Sequence, residues 1–373
     1  MGADEARPVR LTRLTLTDFR NYAASNLTAE AAHVVFTGPN GAGKTNILEA
    51  ISLLSPGRGL RRATYAQMGR QGTLGRWTIH ARLDKGMGEI GVGIGLPPGG
   101  SARQVRVDGD DARPDDLTEL LRVLWLTPAM DGLFTGSSSD RRRFLDRMAL
   151  ALYPDHGRRA NAYERATRQR NKMFEDGVRD PHWYAAVEHE MAEHGSALTK
   201  HRAALVQTLN GAQAERAAHA LDFPRSELAI TGDDAPDTLA AFAERLAEGR
   251  ERDRAAGRAL VGPHRADLSV IHVDKGMPAA LASTGEQKAL LIGIVLGHAA
   301  IVGRLTKETP LLLLDEVAAH LDPSRRAALY DTLDGLGAQT FMTGTDPALF
   351  EALGARADRF VVAAGHIVAA PRG

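Results

Sequence analysis

Residues 38–45 read Gly-Pro-Asn-Gly-Ala-Gly-Lys-Thr, the complete G-x-x-x-x-G-K-[ST] pattern of a phosphate-binding loop. The residue types are those a polyphosphate requires. Gly38, Gly41 and Gly43, with Pro39, Asn40 and Ala42 between them, let the backbone wrap close to phosphate oxygens. Successive N–H groups and the N-terminus of a following helix then offer partial positive charge. Lys44 has the reach for the β- and γ-phosphates, the Thr45 hydroxyl can ligate Mg²⁺, and Asn46 continues into the helix. A second set of residues fits the same chemistry. Leu311–Leu314 is followed by Asp315 and Glu316, a buried strand ending in two acids. Asp315 is placed to hold Mg²⁺, directly or through water, and Glu316 to polarise an attacking water. A strand ending in acids is common, but with the loop at 38–45 it points to ATP and Mg²⁺, with Lys44, Asp315 and Glu316 as the catalytic set.

A third element, Ser283-Thr284-Gly285-Glu286-Gln287, opens an apolar helix. Its S-x-x-E spacing is that of a capping box, and Ser and Gly at a helix N-terminus also suit an anion. The two readings are compatible.

These residues need a scaffold. His33–Phe36 before the loop reads as a short buried strand, and Asn46–Ile51 after it as a helix. Val9–Phe19 alternates as a one-sided strand with an irregularity near Thr12-Arg13. Trp77–Leu83, Glu89–Leu96 and Arg103–Val107, punctuated by Gly and Pro, predict an antiparallel meander. From Ser137 to about Gly257 the chain is rich in Ala, Arg, Glu and Leu and predicts helices. Strand character returns at Leu268–Val273, Pro310–Leu314, Gln339–Met342 and Arg359–Val362. The expected fold class is α/β, a phosphate-loop ATPase head with an antiparallel β-subdomain, split by a mainly helical second lobe. The expected boundaries are 1–130, 131–259 and 260–373.

Composition narrows the partners. Lys plus Arg and Asp plus Glu both number 46, so no global field draws the chain to nucleic acid, and any such contact must come from local clusters. Without cysteine there is no disulfide, thiolate metal site or thiol catalysis. Met1–Pro8 is short and charged, unlike a signal peptide. Ala289–Val302, broken by Gly293, Gly297 and His298, reads as too short for a bilayer. The expectation is a soluble, cytoplasmic protein with no membrane partner. The local cluster lies between Arg141 and Lys172, where ten Arg and Lys face three acids. Arg141, Arg142, Arg143 and Arg147 are the first candidates for a DNA backbone. His189 and His194 miss the H-E-x-x-H spacing and give no metal site.

The order of phosphate loop, long insertion, S-x-G-x-Q, apolar strand with Asp-Glu, and His320-Leu321-Asp322 resembles ABC-type ATPases. Ser283 and Gly285 match their signature motif and Asp322 their D-loop. The long insertion points to the branch with SMC, Rad50 and RecF proteins. Asp18-Phe19-Arg20-Asn21-Tyr22, Leu54–Arg58, Gly136–Asp146 and Leu260–Leu268 then resemble, in order, four stretches of the RecF family of bacterial recombination mediators. The resemblance spans about Leu11 to Val368. It implies an ATP-dependent homodimer, with Lys44 and Thr45 of one protomer facing Ser283 and Gly285 of its partner across each ATP. It also implies double-stranded and gapped DNA as ligand, RecO and RecR as partners, and assistance to recombinase loading in repair and replication. The alternatives are a Rad50- or SMC-like DNA clamp of another role and a transporter-type ATPase subunit. One departure stands out: the switch histidine of ABC-type ATPases is missing, and Thr345 falls at its place. Gln67 and Gln71 are the nearest candidates for a metal-facing glutamine. The resemblance gives no role for Arg58, His264 or Arg265.

Overall fold

The computed structural model describes residues 6–86, 88–216, 223–232 and 235–370. In chain order the elements are β1 (Arg10–Phe19), β2 (Tyr22–Thr28), β3 (His33–Thr37), α1 (Lys44–Ser52), β4 (Trp77–Asp84), β5 (Glu89–Leu96), β6 (Gln104–Val107), β7 (Asp110–Ala112), α2 (Leu117–Leu120) and β8 (Val123–Leu126). Next come α3 (Ser138–Leu152), α4 (His156–Glu175), α5 (Pro181–Arg216), β9 (Ser226–Thr231), α6 (Leu239–Glu248), α7 (Arg250–Ala256), β10 (Asp267–His272) and β11 (Met277–Pro278). The chain closes with α8 (Thr284–Thr306), β12 (Leu311–Leu314), α9 (Pro323–Leu336), β13 (Thr340–Gly344), β14 (Ala357–Ala363) and β15 (His366–Ala369). Among the described residues these divide into two units. The first holds the chain up to Asp131, Phe223-Pro224, and everything from Ser283 onward; the second holds Gly132–Arg216 and Arg225–Ala282.

The first unit contains two sheets. One has the order β15-β14-β3-β13-β12-β8 and is parallel except for β15. Its central strands β3, β12 and β13 are buried at every residue, as apolar runs in a parallel sheet covered on both faces should be. The other sheet has the order β2-β1-β4-β5-β6-β7 and is antiparallel. Leu14 and Leu16 on β1, and Trp77, Ile79, Ala81 and Leu83 on β4, turn inward while their neighbours face out. The irregularity expected near Thr12-Arg13 is a register shift against β4 between Leu11 and Arg13. The inner faces of both sheets close on one core with Ile47, Leu48 and Ile51 of α1. The Gln339 amide ties the sheets together: it accepts from Leu11 N at 2.7 Å and donates to Leu11 O at 3.2 Å.

Helix α8 is longer than the apolar stretch seen in the sequence. By length and composition it could cross a membrane, but 78% of its apolar window is buried inside the protein, which makes it a core helix.

The second unit departs from expectation twice. The segment expected to be helical to Gly257 contains a strand, β9, paired antiparallel with β10 from Ser226↔His272 to Thr231↔Asp267. Its Ser-Glu-Leu-Ala-Ile-Thr alternation is a short period-two pattern, overridden in the sequence reading by the helix-rich composition around it. That pairing also places residues 260–282 in the second unit, not with the ATPase half that was expected to begin at 260. Its core is Tyr163, Tyr184, Met191, Phe242 and Leu246. Arg170 lies fully buried within it, bonded to Glu188 at 2.9 Å and Asp253 at 2.6 Å, which supplies the partners a buried guanidinium requires.

Candidate functional site

The phosphate loop leaves β3 at its C-terminal end, and Asp315 and Glu316 leave β12 at its C-terminal end, with β13 between these strands. This edge of a parallel sheet is where ligands bind in open α/β folds. The glycines are needed for close approach. A Cβ on Gly38, at φ +144°, would lie 2.2 Å from the carbonyl oxygen of Val362. One on Gly43, at φ +115°, would lie 2.5 Å from the Asn21 side chain. Helix α1 starts at Lys44 with no side-chain cap, leaving its N-terminus for an anion. Lys44 is buried to 5% exposure; its Nζ donates to the carbonyls of Gly38 at 2.8 Å and Pro39 at 3.1 Å and lies 3.6 Å from Glu316.

The Asp18–Tyr22 stretch, which the sequence offered only as a resemblance, braces this loop. Asn21 Nδ2 donates to Ala42 O at 2.9 Å, and the buried Tyr22 hydroxyl donates to Gly43 O at 3.1 Å. Arg20 grips Glu49 with two bonds, 2.8 and 2.6 Å, and donates to Gln67 O at 2.8 Å. Glu49 is fully buried on α1 and also takes Arg61 at 3.3 Å. Asn46 belongs to the same brace: it donates to Asn21 at 2.7 Å and accepts from Arg61. Asp18 and Arg20 both adopt positive φ, +52° and +55°. Such strain in non-glycine residues persists only where surrounding contacts hold it.

The acids meet the loop directly. Thr45 Oγ1 donates to Asp315 Oδ1 at 2.9 Å. Thr343, buried on β13, donates to the same Oδ1 at 2.8 Å and accepts the Glu316 N–H at 3.0 Å. Glu316 itself stands at φ +56°. Thr343 is the residue of this cluster that the sequence reading missed. Thr345, at the missing switch histidine, is exposed, whereas the hydroxyl touching both acids lies two residues earlier, on the strand. A hydroxyl and a carboxylate oxygen side by side are hard donors of the kind Mg²⁺ takes beside substrate phosphates, so Thr45 and Asp315 fit the metal expected of them.

Ser283 caps α8, and the capping box is formed: its N–H and Oγ–H both donate to Glu286, at 3.0 and 2.9 Å. Ser283, Thr284 and Gly285 are exposed, and nothing stands within 4 Å of a Cβ on Gly285. Asp322 caps α9 through Arg325 N at 2.9 Å. The Gln67 side-chain carbonyl accepts from Thr64 N at 3.0 Å, an engagement within its own turn. Gln71 and Arg58 are exposed.

In the second unit, much of the basic run is paired with acids, some remote in sequence and others on the same helical face. Arg141 holds Asp267 with two bonds, 2.7 and 2.8 Å, and donates to Gly136 O at 2.6 Å; the Arg141 hydrogen bond pulls the Asp267 carboxyl below its ordinary range. Arg143 pairs with Asp140, Arg159 with Asp155, and Lys172 with Asp176. Arg147 is half-buried. Arg142 donates to Ala266 O at 2.8 Å. Asp146 takes both arms of the buried Arg202, at 2.7 and 2.9 Å, and His156 at 3.0 Å. Burial alone would raise the Asp146 carboxyl, but the His156 bond and the Arg202 charge outweigh it and hold it at about 2.

Comparison with known proteins gives the same picture. Residues 10–364 match the model of the RecF/RecN/SMC N-terminal domain. The chain is 54% identical over 369 residues to the DNA replication and repair protein RecF of Rhizobium leguminosarum bv. trifolii (strain WSM2304), covering 96% of this chain and 98% of that one. It is 51% identical to the RecF protein of Brucella suis biovar 1 (strain 1330), covering 97% of each. A solved structure of the recombination mediator RecF–ATPrS superposes with a TM-score of 0.85 at 20% identity, covering 99% of this chain and all of that one. An SMC head bound to the C-terminal winged-helix domain of ScpA gives 0.56 at 13% identity, covering 96% of each. These two likenesses concern the fold: an ABC-type ATPase head with a helical second lobe. On the match of family model and relatives alike, the chain belongs to the RecF family of DNA replication and repair proteins.

Proposed function

We propose that this chain is an ATP-driven recombination mediator of the RecF type, cytoplasmic, which dimerises on ATP to clamp DNA and is reset by slow hydrolysis. The observation that carries the reading is the cluster of Thr45, Asp315, Thr343 and Glu316 beside Lys44, in a chain whose signature turn at Ser283–Gly285 is exposed. The loop N–H groups and Lys44 bind and orient the phosphates. Thr45 and Asp315 are the residues that would hold Mg²⁺, whose charge offsets that of the transferring phosphoryl group. Glu316 orients a water in line with the γ-phosphorus and takes up its proton as the new P–O bond forms, while the bond to the ADP oxygen breaks. A single loop leaves the γ-phosphate partly open, and a second helix N-terminus supplies further donors. Ser283 and Gly285 of a second copy are the candidates, with Asp322 beside them, so the nucleotide joins the copies and hydrolysis releases them.

The relatives' names concern DNA replication and repair, and the RecF–ATPrS structure is described as part of a RecFOR pathway. Double-stranded and gapped DNA as ligand, RecO and RecR as partners, and recombinase loading are proposed here on that kinship. Light scattering of the full chain with and without Mg–ATP, repeated with duplex DNA, tests the reading. Mass should double with ATP, and DNA should bind the doubled species more tightly. A chain that stays monomeric with ATP bound, or whose ATP response ignores DNA, contradicts it.

A further inference from the structure

The second unit contains a cavity of about 330 Å³ that none of the nucleotide-site residues lines. Ser138, Arg142, Asn171, Arg258, His264 and Arg265 line it. Three of these carry guanidinium groups, and no carboxylate is among the lining residues. The charges are also largely unanswered. Arg258 and Arg265 are exposed, and among the described residues neither side chain has a hydrogen-bond or ion-pair partner. Arg142 meets only a carbonyl, Ala266 O. Burial first, then the neighbouring Arg202 charge, lower its affinity for a proton, and the carboxylates of Asp267 and Asp146 offset this only in part. The nearby acids are engaged by other groups: Asp140 by Ser137 and Arg143, Asp267 by Arg141, and Asp146 by Arg202 and His156. The N-terminus of α3 adds its own partial positive charge, because Ser138 is the first residue of that helix.

The cavity is held in shape. Two of its lining residues, His264 and Arg265, are ones for which the resemblance gave no role, and the turn Gly262–Arg265 fixes them. His264 Nε2 donates to the carbonyl of Ala259 at 3.1 Å, and Nδ1 shares a hydrogen bond of 2.7 Å with the Tyr163 hydroxyl. The imidazole is thus a brace with both ring nitrogens engaged. Pro263 O takes Arg202 at 2.6 Å. Gly262, at φ +140°, lets the chain pass Tyr163, whose hydroxyl would lie 2.1 Å from a Cβ there. Arg265 is therefore presented from a fixed turn and Arg142 from a helix, with Arg258 between α7 and that turn.

We propose that this cavity is a phosphate site, in which Arg142, Arg258 and Arg265 hold one backbone phosphate of DNA. This rests on the DNA-binding reading above and adds to it a position and a ligand group. Guanidinium forks match phosphate oxygens in geometry as well as charge. The contact carries no base information and would set the register of the lobe on the duplex.

The test compares the full-length wild type with Arg258→Gln/Arg265→Gln, both loaded with Mg and a non-hydrolysable ATP analogue so that the phosphate loop is occupied. The two exposed side chains can be replaced without breaking a hydrogen bond or ion pair among the described residues, and nucleotide binding serves as the check on folding. Duplex affinity is measured across a salt series, and arginine modification by phenylglyoxal is mapped by mass spectrometry with duplex, inorganic phosphate or chloride present. The expected results are a salt slope shallower by about one in the double variant and protection of Arg258 and Arg265 by duplex. An unchanged slope in a variant that still binds nucleotide overturns the proposal. Protection by inorganic phosphate but not by duplex overturns its DNA half and leaves a free-anion site. Wild type that binds no duplex at any salt defeats the DNA-binding reading itself, a result separate from either of these.

Discussion

Replacing Thr343 by Val keeps the shape of a fully buried side chain and removes only its hydroxyl. That hydroxyl makes two bonds, a donation to Asp315 Oδ1 at 2.8 Å and an acceptance from Glu316 N at 3.0 Å. A bond to an ionised group contributes about 1.5–3 kcal/mol, and a buried N–H left without an acceptor costs about 1–3 kcal/mol. Asp315 retains Thr45, and the Glu316 side chain is 24% exposed, so water can reach its turn. With both losses softened in this way, about 2 kcal/mol, a little under the sum of the two lower bounds, is expected. The functional consequence follows from the backbone. Glu316 stands at φ +56°, a conformation that costs a non-glycine residue roughly 1–3 kcal/mol and is pinned at its N–H by Thr343. Once released, Glu316 relaxes away from the position in which it orients water. If the productive arrangement is disfavoured by about 2 kcal/mol, kcat falls roughly 30-fold. Among the described residues the Thr343 hydroxyl bonds only Asp315 and Glu316 and not the phosphate loop, so ATP affinity should change by no more than about threefold, under 1 kcal/mol.

The assay is steady-state phosphate release beside a fluorescent-nucleotide titration, with circular dichroism to confirm folding. Thr343→Ser, which restores the hydroxyl on the same Cβ, should recover most of the rate. A folded Thr343→Val protein that hydrolyses ATP at the wild-type rate would refute the idea that this hydroxyl positions Glu316. A parallel loss of affinity and rate would show that it acts on binding.

Lys44→Met should abolish ATP binding and the ATP-dependent dimer together; normal dimers in light scattering would contradict the assignment of the loop. Glu316→Gln should lower hydrolysis by about a hundredfold or more, the ordinary contribution of a positioned base, while ATP-bound dimers accumulate on size exclusion. Unimpaired hydrolysis would assign the water to another residue. Arg141→Ala should destabilise the second unit by about 1–3 kcal/mol in urea unfolding, because Asp267 loses its paired guanidinium; an unchanged midpoint would mean the pair contributes nothing. Asp146 gives the pH dependence. Its carboxyl is lowered from 3.8 to about 2, so its contribution, about 2 kcal/mol, is complete above pH 3.8 and disappears as the pH falls toward 2. Asp146→Asn should be less stable at neutral pH, with Arg202 buried and unpaired, and should show a shallower loss of stability across that acid window.

The parallel strands and the phosphate loop were legible because each is a local pattern. A strand buried on both faces must be apolar throughout, and a loop that cradles phosphate must have glycine where a Cβ would strike a neighbour, as at Gly38 against Val362. β9 was less legible, since six alternating residues carry little weight against the helical composition on either side. Two functional features are not local at all. Thr343 and Thr345 are equivalent in the sequence, both threonines near the place of a missing histidine. Only the pairing of β13 with β12 from Leu312↔Thr340 to Leu314↔Met342 brings residue 343 to the end of the strand that leads into Asp315 and Glu316, leaving residue 345 outside.

Charge shows the same difference more sharply. Counted along the chain, the run from Arg141 to Lys172 is strongly basic, and Arg141 heads it. In the fold, Asp267, Glu188 and Asp253, remote in sequence, answer Arg141 and Arg170. The cations left unanswered in the lobe include Arg258 and Arg265, which lie outside the run. A sequence count records how many charges a segment carries, whereas an anion responds only to those the fold leaves unpaired. For this lobe a nucleic-acid surface should therefore be sought first where guanidiniums converge without a carboxylate, and a salt slope that followed Arg141 instead of Arg258 and Arg265 would show that reasoning to be wrong.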